Sequence, residues 1–255
     1  MQPTMPDKTS ILGVTISAVT MEETLHLIEQ CILEKRRCYI CLCTAHLLVL
    51  CHQDERLKSI VNAAGIAVAD GMPLVYLLRR KGFKRVERIY GPDLLSQWCA
   101  YAEKKGYSQF LYGGQMGIPE ALRHKLKNRF PALNDKGAYT HVPACLPEAK
   151  EKEVVEMINA AGADVVWVGW GSPLQERWMG QNRQAINAPV LIGVGAAFDF
   201  ISGSKKQAPT WMRNRSLEWL FRLICEPRRL WKRYLIGNLY FVYLLFCEWR
   251  RRKRA

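Results

Sequence analysis

GIAVADGMPLVYLLRR (residues 65–80) reads as a strand that ends on a charge and turns directly into a helix. Ile66 to Ala69 form a short uncharged run, Asp70 stops it, Gly71 permits a tight turn, and Pro73 suits the first turn of a helix. The same grammar recurs along the chain. CYICLC stops at Thr44, QFLY at Gly113 and Gly114, DVVWVGW at Gly171 and VLIGVGAAF at Asp199, and a helical pattern follows each. A further strand is expected near Ile11 to Ile16, after which Thr20 and Glu23 form a capping box for a helix running towards Arg36. Short apolar runs alternating with longer amphipathic ones predict an α/β fold built on a mostly parallel sheet.

In such a sheet the strand ends gather along one edge, which is where open α/β sheets bind ligands. Helix N-termini opening there present free N–H groups and the positive end of the dipole, which favour a phosphate or diphosphate and hence a nucleotide. Neither FLYGGQMG nor VGWGSP is a Walker loop or a full GxGxxG fingerprint, which weakens a dehydrogenase reading. Asp70 has two readings: a general base at the ligand edge, or the cap of the helix opening near Pro73. Asp199 likewise faces the nucleotide or caps the next turn. Tyr90, Gly91 and Asp93 in IYGPDL read first as a turn and cap before a helix through Trp98, with contact to an acceptor as the alternative.

Charge is spread unevenly. Residues 201–255 hold 14 Lys/Arg against 3 Asp/Glu, so they carry +11 of the formal +14, while the first 200 residues are nearly balanced. The expected organisation is a folded body over residues 1–200 and a basic, amphipathic helical appendage over 201–255. Within the appendage, the apolar run Tyr234 to Cys247 has 14 residues, whereas a membrane-crossing helix needs about 20. With basic residues on both flanks it is expected to lie on an anionic membrane surface, the competing reading being a buried C-terminal helix with a solvated basic end. MQPTMPDKTS contains no apolar stretch resembling a signal peptide, so a cytoplasmic location, peripheral on the inner face of the membrane, is expected. A homo-oligomer would also cover the appendage's apolar surface. RNA suits a basic chain too, but confinement of the charge to one end, beside an apolar run, argues against nucleic acid as a partner.

Nine cysteines scattered through apolar segments suit reduced, buried thiols. Cys38, Cys41, Cys43 and Cys51, with His46 and His52, match no common zinc spacing, so they are expected in the core and no metal or other cofactor is assigned. No two aspartates stand two apart, so the DxD element that holds a divalent cation in many nucleotide-sugar enzymes is missing. A diphosphate would then call for arginines, which fork onto phosphate oxygens and stay charged. The appendage offers Arg222, Arg228, Arg229 and Arg233. Pro227 is expected to begin a helix on which Arg228 and Lys232, and Arg229 and Arg233, are i,i+4 pairs facing either a diphosphate or lipid headgroups and water. Arg222 lies among apolar residues in LEWLFRLIC, where a partly buried arginine calls for an anionic partner.

The segments ADGMPLV, ERIYGPDL, FLYGG, VGWGSPLQERW and GVGAAFDFISGSKKQAPTWMRNRSLEWLFRLICEPRRLWKRYL resemble the WecG/TagA/CpsF glycosyltransferase family, and the likeness runs from about Ile11 to Tyr234. The resemblance implies a Rossmann-like catalytic domain with helices on both faces. It also implies a bacterial enzyme that moves a sugar, of N-acetylmannosamine type or a hexose, from a UDP-sugar to a polyprenyl-diphosphate-linked acceptor, with inversion and without a metal, in teichoic acid or exopolysaccharide pathways. By the same likeness Asp70 is the catalytic aspartate, Thr44 opens the TxN element, Gln175 belongs to the PxQE element, and Arg222 and Arg229 are the appendage arginines that stabilise the departing UDP. Gly113, Gly114, Gly171 and Asp199 complete the expected substrate contacts. The chain reads TAH where the family has TxN, so His46 offers the donor an imidazole in place of a carboxamide.

Overall fold

The computed structural model describes residues 6–141 and 148–254. Its strands are β1 (Lys8–Ile11), β2 (Val14–Ser17), β3 (Cys38–Cys43), β4 (Ile66–Ala69), β5 (Ser108–Tyr112), β6 (Asn134–Tyr139), β7 (Val165–Val168) and β8 (Val190–Gly193). They form one sheet in the order β1-β2-β4-β3-β8-β7-β5-β6, in which every neighbouring pair is parallel except β1 and β2. The mixed α/β class read from the sequence is the class observed.

Three details differ from the sequence reading. The run near residues 11–16 is not one strand: Leu12 and Gly13, with φ of 52° and 80°, fold it into a two-residue hairpin between β1 and β2. VLIGVGAAF also divides, because Gly193 ends β8 and the chain closes into helix α9 (Ala197–Ser202), which puts Asp199 in a helical first turn rather than at a strand end. Strand β6, with the sequence NDKGAY, occupies the sheet edge and has no apolar run to mark it.

Local chemistry sets the helix starts. Helix α1 (Met21–Leu33) opens on the Thr20–Glu23 capping box, α2 (Ala45–Gln53) on the Thr44 side chain, and α3 (Glu55–Asn62) on Asp54. Helix α4 (Met72–Arg80) has Gly71 at its cap position and no side-chain cap. Helices α5 (Gly91–Lys105), α6 (Ile118–Arg129), α7 (Glu148–Ala161) and α8 (Leu174–Asn182) complete the layers.

Strand β3 shows why the sheet is covered on both faces. Cys38, Ile40 and Leu42 point into one apolar cluster with α1, α5, α6 and α9, while Tyr39, Cys41 and Cys43 point into another with α2, α3, α4, α7 and α8. Cys31, Cys38, Cys41, Cys43, Cys51 and Cys99 are buried free thiols, as their placement in apolar runs predicts, whereas Cys225 is exposed and Cys247 half-buried, because the appendage helices that carry them are covered on one side only.

Past Gly203 the chain forms α10 (Thr210–Asn214), α11 (Glu218–Cys225), α12 (Pro227–Trp231), a π-helical turn (Lys232–Ile236) and α13 (Gly237–Arg254). Helix α13 packs against α2 and buries Phe241 and Leu244 in the second cluster. Among the described residues no helix is long and apolar enough to cross a membrane.

The chain leaves β3 for β4 on one side and later returns through β5 on the other, so the strand order reverses between the parallel neighbours β3 and β8. A crevice is expected beyond the strand ends at that point. Gly169 lies beside it, immediately after β7. A Cβ there would come within 2.5 Å of the buried Phe198 ring. Gly169→Ala is expected to cost about 1–3 kcal/mol through forced repacking, read as a lower urea midpoint at unchanged slope; parental stability would mean that the ring has room to move.

Candidate active site

A cavity of about 490 Å³ occupies the crevice, walled on one side by the C-terminal ends of β3, β4, β7 and β8 and on the other by α11, α12 and the π-helical turn. Asp70 is placed there by backbone geometry. Its N–H donates to the Cys43 carbonyl at 2.9 Å, tying together the ends of β3 and β4. Gly71 takes the cap position of α4, so the capping reading of Asp70 falls away. Asp70 Oδ1 is shielded from solvent without a hydrogen-bond partner, and Arg88 Nη2 lies 3.5 Å from it. Burial pushes this carboxyl up to about 6; Arg88 opposes the rise, Glu218 adds to it, and Arg222 and Arg233 oppose it.

The sequence reading did not single out Arg88 and Glu218. Arg88 donates through Nε to the Asp70 carbonyl and through Nη2 to Glu218 Oε2 at 2.8 Å, and its guanidinium lies 4.3 Å from the centre of the Tyr90 ring. Burial works against the charge on Arg88, yet the Asp70 and Glu218 carboxylates more than offset it and hold the guanidinium above its ordinary pKa. The Tyr90 hydroxyl donates to Glu218 Oε1 at 3.0 Å and accepts from Gln207 Nε2 at 3.1 Å. Tyr90 is therefore a cavity residue, while Asp93 pairs with Arg213 at 3.5 Å. One signal for Glu218 was present in the sequence: it is a rare acid within a strongly basic segment.

The expected TxN and PxQE residues also line the cavity. Thr44 Oγ1 accepts from the Leu47 N–H at 3.2 Å, capping α2, and His46 follows in the first turn. Burial, reinforced by Arg233, pushes His46 down to about 4, so it presents a neutral imidazole at physiological pH. Gln175 has both ends of its amide occupied: Oε1 accepts from the Gly171 N–H at 3.0 Å, and Nε2 donates to Glu176 Oε1 at 3.0 Å, which also accepts from Ser172 Oγ at 2.7 Å. Burial raises the pKa of Glu176, while the Ser172 and Gln175 hydrogen bonds lower it. Gln175 thus shapes the Gly171 loop. The close approach explains the glycine that ends β8, since a Cβ on Gly193 would lie 2.8 Å from Met179 Cε and 2.9 Å from Gln175 Nε2.

From the appendage, Arg222 and Arg229 line the cavity as expected, and Arg233 joins them. The Nε atoms of Arg222 and Arg233 are buried with no hydrogen-bond partner among the described residues, so the anionic partner expected for Arg222 is not another side chain. Arg222 instead lies over the Phe200 ring at 5.3 Å. Burial lowers the pKa of Arg233, and the nearby charges of Arg222 and Arg229 lower it further. Arg229 pairs with Glu226, while Arg228 and Lys232 are exposed and lie outside the cavity wall. Asp199 faces the cavity and pairs with Lys205 at 2.9 Å.

Gly113 and Gly114 are not brought to the cavity wall. Strand β5 lies outside β7, and Trp170, which does line the cavity, stands between: a Cβ on Gly113 would lie 2.9 Å from its indole. These two glycines, with φ of 97° and 89°, turn the chain at the end of β5. Gly171, by contrast, is a wall residue.

A family model, described as the glycosyl transferase WecG/TagA/CpsF family, matches residues 9–255. The chain belongs to the WecG/TagA/CpsF glycosyltransferase family. It is therefore an enzyme of cell-surface polysaccharide synthesis, a class acting with sugar-nucleotide donors and lipid-linked acceptors. For a transferase of this family the cavity has suitable chemistry: a carboxyl without a hydrogen bond at Oδ1 faces unpartnered guanidinium donors across a space of nucleotide-sugar size.

Because folding raises the pKa of Asp70, the folded protein binds more protons than the unfolded chain between about pH 4 and 6. Stability contributed by this site is greatest below that window and falls as pH rises through it. Asp70→Asn, which removes the charge, is expected to be roughly 1–3 kcal/mol more stable than the parent at pH 8. The difference should shrink below about pH 4, and thermal unfolding at both pH values checks it.

Proposed function

We propose that the protein moves a sugar, of N-acetylmannosamine type or a hexose, from a UDP-sugar to a sugar carried on a polyprenyl diphosphate, with inversion at the anomeric carbon. The reading rests on one observation: the Asp70 carboxyl and the unpartnered Nε atoms of Arg222 and Arg233 belong to one cavity, and that cavity adjoins an apolar groove. The acceptor hydroxyl gives its proton to Asp70 as its oxygen bonds to the anomeric carbon. The bond from that carbon to the diphosphate oxygen breaks with its electron pair, and UDP departs. Arg222 and Arg233, with Arg229 at the rim, stabilise the charge that develops on the leaving group. At neutral pH a carboxyl titrating near 6 is mostly ionised yet remains a stronger base than an ordinary aspartate. His46 stands where the family has asparagine and gives the donor sugar a neutral imidazole.

The groove, of about 690 Å³, is walled by Leu77, Phe241, Val242 and Leu245, and it shares Ala45, Pro73, Tyr76, Trp219 and Asn238 with the cavity. Its apolar character suits the first part of an isoprenoid chain whose sugar lies beside Asp70. Around it the appendage exposes Ile224, Leu235, Ile236, Leu239, Val242 and Phe246. Lys253 lies over Trp249 at 4.3 Å and Arg250 over Phe246 at 4.8 Å. Apolar side chains beside cations suit peripheral docking on anionic lipid, with residues 1–200 as the catalytic body and 201–255 as the docking and closing appendage.

Asp70→Asn is expected to lower transfer at least about 100-fold while leaving UDP affinity nearly unchanged. Arg222→Ala and Arg233→Ala should each weaken UDP binding roughly 10- to 100-fold. Radiolabel transfer from a panel of UDP-sugars to a short-chain polyprenyl-diphosphate acceptor, with calorimetry of UDP binding, reads both. Undiminished transfer by Asp70→Asn would remove the base, and an inert panel would remove the donor class. Flotation with phosphatidylglycerol vesicles is expected to carry the protein, less so in high salt and less again for Leu239→Glu; equal flotation with neutral vesicles would argue against the charge contribution.

A further inference from the structure

Arg88 and Glu218 do not contact the cavity merely as wall. Arg88 Nη2 lies between two carboxylates, 2.8 Å from Glu218 Oε2 and 3.5 Å from Asp70 Oδ1, so the nearer acid holds the hydrogen bond and the other has none. Arg88 comes from the loop between α4 and α5, whereas Glu218 opens α11 in the appendage. Glu218 is buried and anchored a second time by the Tyr90 hydroxyl. Without α11 in place, the best remaining partner for Arg88 is Asp70, and a carboxylate tied to a guanidinium is a poor proton acceptor.

We propose that Glu218 is a positioning residue that draws the Arg88 guanidinium onto itself and so leaves the Asp70 carboxylate free to take the acceptor's proton. The other titratable or charged groups facing Asp70 are the Arg222 and Arg233 guanidiniums, the Tyr90 hydroxyl and the Cys43 thiol. The two arginines act on Asp70 in the sense opposite to Glu218. The proposal rests on Asp70 as the proton acceptor.

The test is the pH dependence of kcat/KM from pH 5 to 9 for the full-length protein and for Glu218→Gln, which keeps an oxygen for the Tyr90 hydroxyl and loses the charge. The acidic limb is expected to move about one unit to lower pH and the plateau to fall roughly 3- to 10-fold, with KM for the donor unchanged. A lower plateau with the limb in place would make Glu218 a structural contact only and overturn the proposal. Glu218→Asp, which restores the charge, should return the limb to its original position, and it serves if the Gln variant fails to fold. Difference infrared spectra against Asp70→Asn read the Asp70 titration without turnover. A carboxyl band that Glu218→Gln does not shift overturns the proposal even if Asp70 is the base, whereas a shifted band with fully active Asp70→Asn overturns only the base assignment.

Discussion

One guanidinium shared by two carboxylates from distant parts of the chain holds the site together. Arg88 is largely enclosed, with 20% of its side chain exposed, and withdrawing a charge from water is costly unless it is paired and hydrogen-bonded. It meets that requirement with the Asp70 carbonyl, the Glu218 carboxylate and the face of Tyr90. Each partner fixes something further: the carbonyl orients the turn after β4, the carboxylate anchors α11, and the ring sits where α5 begins. The Asp70 carboxyl is left largely enclosed, with no hydrogen bond at Oδ1, a state that weakens folding and is common at functional sites.

The sheet explains why these groups meet at this edge. Parallel strands deliver every strand end to the same side, and the reversal between β3 and β8 leaves a gap that no crossover fills. Where the chain ends β8 it runs close to α8, so its residues there must be small. Glycines at 193 and 195 let the chain pass close to Gln175, whose amide is spent holding the Gly171 loop. Helix α4 starts on a glycine and contributes no side-chain cap, which leaves its first turn open to a ligand's oxygens.

The appendage does two different things with one stretch of chain. Helix α13 buries Phe241 and Leu244 against the body while exposing Leu239, Val242 and Phe246 on its other side. A helix apolar on both sides is normally enclosed, and here one side is covered by the body while the other forms, with Ile224, Leu235 and Ile236, a surface bordered by cations. The arginines divide in the same way. Arg222 and Arg233 turn inward and keep unpartnered donors, whereas Arg228 and Lys232 remain exposed. Burial, and after it the charges of Arg222 and Arg229, lower the pKa of Arg233, so this cluster of guanidiniums is unfavourable without an anion beside it.

The alternation of strands and helices, the Thr20–Glu23 box, the buried cysteines and the position of Asp70 at a strand end were all legible in the sequence. Each depends on residues adjacent in the chain, whose spacing, propensity and capping act over a few residues. The resemblance carried Arg222 and Arg229 to the site without showing how they reach it. Strand β6 escaped because an edge strand needs no apolar run, and the hairpin at Leu12 because a leucine stands where Asn, Asp or Gly would usually precede the turn's glycine, Gly13. Gly113 and Gly114 looked like site residues because a glycine after a strand reads the same whether it meets a ligand or only turns the chain. Which charges share a site was decided by tertiary structure alone: Arg88 and Glu218 stand 130 residues apart, and no local pattern encodes a contact made only when a distant helix folds back over the sheet.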